Sequence, residues 1–136
     1  METVSERTDR VRTLIIALAL LIALVAGGIF YSVTLSDLSK KIIEHTDRVE
    51  EALIAHDLPL AKTRVAELKR VIQESKTTFH IIIDHSHLNT IETAMAELEQ
   101  SLTFESILSA ASKNAIIRAQ MEDIANNHRF SWSNML

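Results

Sequence analysis

The chain has 136 residues, of which 47% are apolar and 4% aromatic, with 2 Gly, 1 Pro and no Cys. So few breakers predict long helices around a mostly aliphatic core, and the lack of Cys excludes disulfides and thiolate metal sites. Three of the 14 basic and three of the 18 acidic residues fall in the first 12 positions and cancel, so the remainder carries the whole net charge of −4; it lacks the basic face that binds nucleic acid and the polybasic patch that binds anionic lipid.

Residues 1–12 read as a short cytoplasmic stub. From Thr13 to Ser36 no residue is charged. A helix needs about 20 apolar residues to cross a bilayer core, so residues 13–35 are predicted to be a transmembrane helix. Arg10 and Arg12 stand beside the span on one side and Lys40 and Lys41 on the other. The shortness of the N-terminal tail favours a single-pass protein of the cell membrane with its N-terminus cytoplasmic and its C-terminal domain extracytoplasmic. The minority reading is a signal peptide cleaved near Ala26 and Gly27, which would release the rest as a secreted protein. The apolar run past Gly28 to Leu35 argues for retention, being longer than the about 7–15 residues of a signal core. Ala19, Ala23 and Gly27 are spaced by four, a small-residue ladder that lets two helices approach closely; it is a candidate span-packing face for a homodimer, set against the ordinary abundance of Ala in spans.

Residues 36–128 are predicted to form a helical bundle whose first helix continues from the span. Leu35, Leu38, Ile42, Val49 and Leu53 trace a stripe at helical spacing. His45 and His56 lie on or beside it, as tolerated edge residues or, in the sharper reading, as a pH switch. Asp57 is a candidate N-cap, and Pro59 falls in the first turn of the second helix, where its missing N–H is harmless. Ala61, Val65, Leu68, Ile72, Ser75, Phe79 and Ile82 form a heptad seam with one polar member. This predicts a helix unbroken to about Asp84, roughly 39 Å long. Ile81, Ile82 and Ile83 are apolar all round, so that end is expected to be buried on more than one side.

At the next corner, Asn89 with Glu92 three residues on reads as a capping box, while Asp84 and His85 serve exposed backbone groups. Ile91, Met95, Leu98 and Leu102 give the stripe of a short third helix. Thr103 is expected to cap a fourth, from about Phe104 to Asn127, with Ile107, Ala111, Ala115, Ile117, Met121 and Ile124 inward and Asn126-Asn127 ending it. Residues 129–136 form a tail whose Phe130, Trp132, Met135 and Leu136 pack on the bundle or the membrane surface. The fold class is all-α: an N-terminal transmembrane helix followed by an antiparallel up-down bundle of about four helices. That order puts the Asp84–Asn89 corner and the tail near the membrane, and the Pro59 and Thr103 turns away from it.

Phe79 with Ile82-Ile83-Asp84-His85, then Leu88, Ile91 and Leu98, and the ending Phe130-Ser131-Trp132-Ser133-Asn134-Met135-Leu136 resemble a bacterial membrane-associated family, domain of unknown function 4363. The resemblance covers nearly the whole chain. It departs in lacking a Trp between Ile72 and Phe79. It implies a single-span helical protein with no known activity, and it transfers no catalytic residues.

Chemistry has few places to reside. If the second helix continued through Ser86, His80, Asp84 and His87 would share one face at i, i+4 and i+7, a set that suits a divalent metal. The bland reading, in which the helix stops first and these residues serve the corner, is preferred. The carboxylate pairs are adjacent or two apart, which does not aim two at one centre. Both glycines lie in the span, so no phosphate loop exists, and no nucleophile motif is present. The expectation is therefore a protein that is not an enzyme, holds no cofactor and takes no small-molecule substrate. It is a membrane-anchored extracytoplasmic helical module that binds or supports a protein partner or a second copy. The alternative is a ligand- or pH-sensing accessory domain acting through a membrane partner, and a weaker one is a divalent-metal protein. A melting temperature that responds to pH or ligand separates the second reading from the first, and elemental analysis separates the third.

Overall fold

The computed structural model describes residues 3–133, with side chains through Asn127. Among these residues the fold is all-α, with α1 (Val4–Ile54), α2 (Leu58–Glu74), α3 (Lys76–Ile82), α4 (His85–Thr103) and α5 (Ile107–Ser133). The chain divides after Thr34 into two units, and α1 contributes to both.

The first unit, through Thr34, holds the charged start of α1 and its apolar stretch. Its most apolar window has a mean hydropathy of 2.8, and none of that window is buried by the chain. It is long and apolar enough to cross a membrane, a property that signal sequences share. Leu14, Leu20, Leu24 and Phe30 are all bare. Exposed aliphatic surface on this scale is unfavourable in water and has to be covered by something other than this chain.

The second unit is the bundle. Lys69 meets Glu99 at 2.9 Å and Lys76 meets Glu92 at 2.7 Å, so α4 runs against α2 and α3. Glu97 pairs with Lys113 while His87 reaches Gln120 at 2.7 Å, so α5 runs against α4. These are the antiparallel neighbours that short connections dictate. The core follows steps of three and four. In α2 and α4 the expected residues are all buried, Ala61, Val65, Leu68 and Ile72, then Ile91, Met95, Leu98 and Leu102, and Val71, Leu88, Ala94 and Ser101 join them. In α1, Ser39 and Thr46 take buried places that the apolar reading gave to Leu38. In α5 the inward face starts at Ala110 and Asn114 rather than Ala111 and Ala115.

The long second helix is two. Ser75 sits between α2 and α3 with its hydroxyl donating to the Val71 carbonyl at 2.7 Å and its own N–H reaching the same oxygen at 3.1 Å. A serine that bonds back to the preceding turn loads one carbonyl twice and bends the axis. The helix also stops at Ile82 rather than at about Asp84, because Ile83 is extended (φ −117°, ψ 144°). Ile83 turns inward while Ile81 is 81% exposed, which corrects the reading of this end as buried all round.

Both turns that close the other end share one geometry. After α1, His56 has φ 54°, its N–H reaches Leu53 O at 3.1 Å, and the Asp57 N–H reaches Ala52 O at 3.1 Å. After α4, Glu105 has φ 55°, its N–H reaches Leu102 O at 3.1 Å, and the Ser106 N–H reaches Ser101 O at 2.9 Å. This is the Schellman arrangement, with a side-chain-bearing residue where Gly is usual. Asp57 then caps α2 as expected, accepting the Leu60 N–H at 3.1 Å, with Pro59 in the first turn. Thr103 is not a cap: it is the last residue of α4, and its hydroxyl donates to Glu99 O at 3.1 Å. The next helix starts three residues after Phe104, at Ile107. Asn126 and Asn127 do not end α5, which runs to Ser133, so the boundary expected at residue 129 falls inside a helix. The packing expected of Phe130, Trp132, Met135 and Leu136 concerns side chains beyond Asn127 and lies outside what the structure describes.

The left-handed Glu105 gives a direct test. Glu105→Gly removes a Cβ clash and adds chain entropy to the unfolded state, and the net expected gain is about 0.5–1 kcal/mol. Thermal melts of the full chain in detergent should show a higher midpoint for Glu105→Gly and none for Glu105→Ala, which keeps the Cβ.

Candidate functional site

Three features of the bundle carry more than packing: a corner, a polar seam and a bare end. At the corner, Asp84 is the N-cap of α4 and accepts the Ser86 N–H at 3.3 Å. The capping box expected at Asn89 and Glu92 does not form, because α4 starts four residues before Asn89 and puts both inside the helix. Asp84, following the extended Ile83, reaches the cap position first, and Glu92 turns to Lys76. The same break separates the triad His80, Asp84 and His87. His80 stays on α3, Asp84 is spent on the cap, and the His87 Nδ1 lies 2.7 Å from Gln120 Oε1 on α5. Among the described residues no three His, Cys, Asp or Glu groups are placed to share a metal ion. His85, expected to bond backbone groups, instead lies beside His80, with ring centroids 5.7 Å apart.

The seam runs along the inner face of α1. From Leu35 the buried residues step through Ser39, Ile42, Thr46, Val49 and Leu53, so apolar and polar layers alternate until Leu53. Opposite Thr46, the buried Asn114 of α5 donates through Nδ2 to the Thr46 carbonyl at 2.9 Å. A buried amide in an apolar seam favours the one register that satisfies it. One turn on, Arg118 donates to Asp47 and to Glu122 at 3.0 Å, with Glu50 at 3.7 Å. The Glu122 hydrogen bond raises its pKa most, and the Asp47 and Glu50 carboxylates add to this. Ser39 Oγ, Asn114 Oδ1 and His45 Nδ1 are buried without a hydrogen-bond partner. None of Ser39, Thr46, Asn114 or Arg118 was singled out by an apolar stripe; extending the four-three step from Leu35 would have found the first two.

The bare end carries the two Schellman turns. Ile54 (72% exposed), Phe104 (74%) and Leu108 (84%) lie at or beside them, with Leu60 half-exposed. Scattered apolar residues on a surface are ordinary; these stand at the two turns. In the first unit, Ala19, Ala23 and Gly27 are exposed, and a Cβ built on Gly27 meets nothing within 4 Å.

A family model described as Domain of unknown function (DUF4363) matches residues 29–135. The chain belongs to this family. No curated protein and no solved structure matches it. In this DUF4363 chain the matched region takes in the corner, the polar seam and the bare end, whereas Ala19, Ala23 and Gly27 precede it.

One pH effect follows from the DUF4363 bundle. Burial, then the Arg48 charge, lowers the pKa of His45 from its ordinary value; Lys41 adds to this, and Glu67 on α2 and Glu44 oppose it. The folded state therefore takes up a proton less readily than the unfolded chain. The stability this confers is complete above the ordinary value of about 6.5 and is lost as pH falls through the window between that and the lower folded value. Melts from about pH 8 to pH 5 should show a midpoint that drops on the acid side, and His45→Gln should flatten part of that drop.

Proposed function

We propose that the chain is a single-pass membrane protein, N-terminus cytoplasmic, whose extracytoplasmic bundle binds a protein partner. The observation that carries the reading is the bare end: Ile54, Phe104 and Leu108 stand exposed beside two rigid Schellman turns. Apolar anchors on preformed turns lose little entropy on docking and supply the desolvated centre that protein interfaces need. Retention of the span is supported by α1 itself, which passes Ala26, Gly27 and Gly28 without a break. The bilayer is then what covers the bare aliphatic cylinder.

The test places a photo-crosslinking amino acid at Leu108 in intact cells, with a second at Gln73 on the outer face of α2 as a control. The expected result is an adduct with a different protein from Leu108 only, lost on Phe104→Glu. Adducts with a second copy alone would replace the partner by a homodimer, and equal adducts from both positions would end the reading. The alternative, a sensing accessory domain acting through a membrane partner, is favoured by one observation, the unpartnered buried Nδ1 of His45.

A further inference from the structure

We propose that His80 and His85 together bind one late first-row divalent cation, of the zinc or copper kind, with water completing its coordination. The pair is a product of the corner. Residues five apart on a continuous helix point about 140° away from each other. Here α3 ends at Ile82, Ile83 is extended, and α4 begins at His85 behind the Asp84 cap. That reversal brings the two imidazoles to 5.7 Å between centroids, tilted by 56°.

The separation suits a shared ion. Imidazole nitrogen binds zinc at about 2.0–2.1 Å, which puts each ring centre about 3.2 Å from the metal. Two rings on one ion are then about 5.2 Å apart at a tetrahedral angle and about 6.4 Å apart in line. The observed spacing lies between these limits. Both rings are exposed, and neither makes a hydrogen bond with a described residue, so their nitrogens are open to a ligand. His87, the other imidazole of the corner, is engaged by Gln120. Neutral imidazole selects zinc, copper and nickel over magnesium and calcium. With two protein ligands the site is exchangeable rather than a closed structural centre. An ion held there would tie the end of α3 to the start of α4 across Ile83, and binding to the folded chain alone would raise its stability.

The experiment uses the full chain in detergent, purified without a histidine tag, titrated with zinc chloride while the ring signals of its 6 His residues are followed by NMR. His80 and His85 should shift together and saturate at one ion per chain, with His45, His56 and His87 unmoved. His80→Gln and His85→Gln should each weaken binding about tenfold or more, and His87→Gln should not. Zinc should raise the melting midpoint of the wild type and not of His80→Gln. Wild-type affinity in either variant, or an equal response of all the histidines, overturns the proposal. Both positions are exposed, so the variants should keep their helix content by circular dichroism; if one does not, the wild-type NMR titration decides.

Discussion

Phe79→Ala should destabilise the bundle by about 3–5 kcal/mol, the range for truncating a fully buried aromatic. Phe79 heads the large side chains that no solvent reaches, and it is the one buried residue of the seven-residue α3. A helix of two turns has little stability of its own, so α3 is held by what its single anchor packs against. The backbone at Phe79 is also a junction. Its N–H bonds Ser75 O at 2.9 Å across the α2–α3 bend, and its carbonyl accepts the Ile83 N–H at 2.8 Å, where the chain leaves the helix. Truncation leaves a void at the joint between two bends. The surroundings cannot close it without moving the bend or the corner. Urea unfolding of the full chain in mild detergent measures the effect, with Ile81→Ala as control. Ile81 is two residues away and 81% exposed, so its truncation should cost under about 0.5 kcal/mol. A loss below about 1 kcal/mol for Phe79→Ala would mean that α3 does not pack through this face.

The bundle's periodic positions were legible in the sequence where the seam is uniformly apolar. The stripes of α2 and α4 are read straight from the four-three spacing, and Asp57 with Pro59 announces its turn. The family too was legible, from the Ile-Asp-His corner. What was not legible involves polar residues in dual roles. Ser75 looked like a tolerated seam member, and its bond back to Val71 breaks the helix. Asn89 with Glu92 and Thr103 matched cap patterns, yet Asp84 and the Schellman turn at Glu105 reached those positions first. Asn114 has no place in an apolar stripe, yet the Thr46 carbonyl gives it a partner from another helix. Local pattern cannot report a bond across 68 positions. The candidate site suffered most for this reason: the polar seam and the bare end both depend on which helices meet, and the approach of His80 to His85 depends on one extended residue, Ile83.

The largest effect is expected in the first unit. Leu20→Arg with Leu24→Arg puts two guanidinium groups one turn apart in the middle of the apolar stretch, where both native side chains are bare. At the centre of a spanning helix each arginine costs about 2.5–3.5 kcal/mol on insertion scales, so the pair opposes insertion by about 5–7 kcal/mol. The wild-type window, of mean hydropathy 2.8, has no charge within it to begin with, and two charges a turn apart cannot both snorkel to the nearest interface. Alkaline carbonate extraction of cell membranes measures the outcome. The wild type should stay in the pellet at full length, and the double variant should leave it. Leu60→Arg with Leu108→Arg supplies the same charge on the bundle surface and should leave fractionation unchanged. A double span variant that stays in the pellet would mean that the chain is held at the membrane by something other than α1. A wild-type product shortened by about 26 residues would mean that the apolar stretch is a cleaved signal core rather than an anchor.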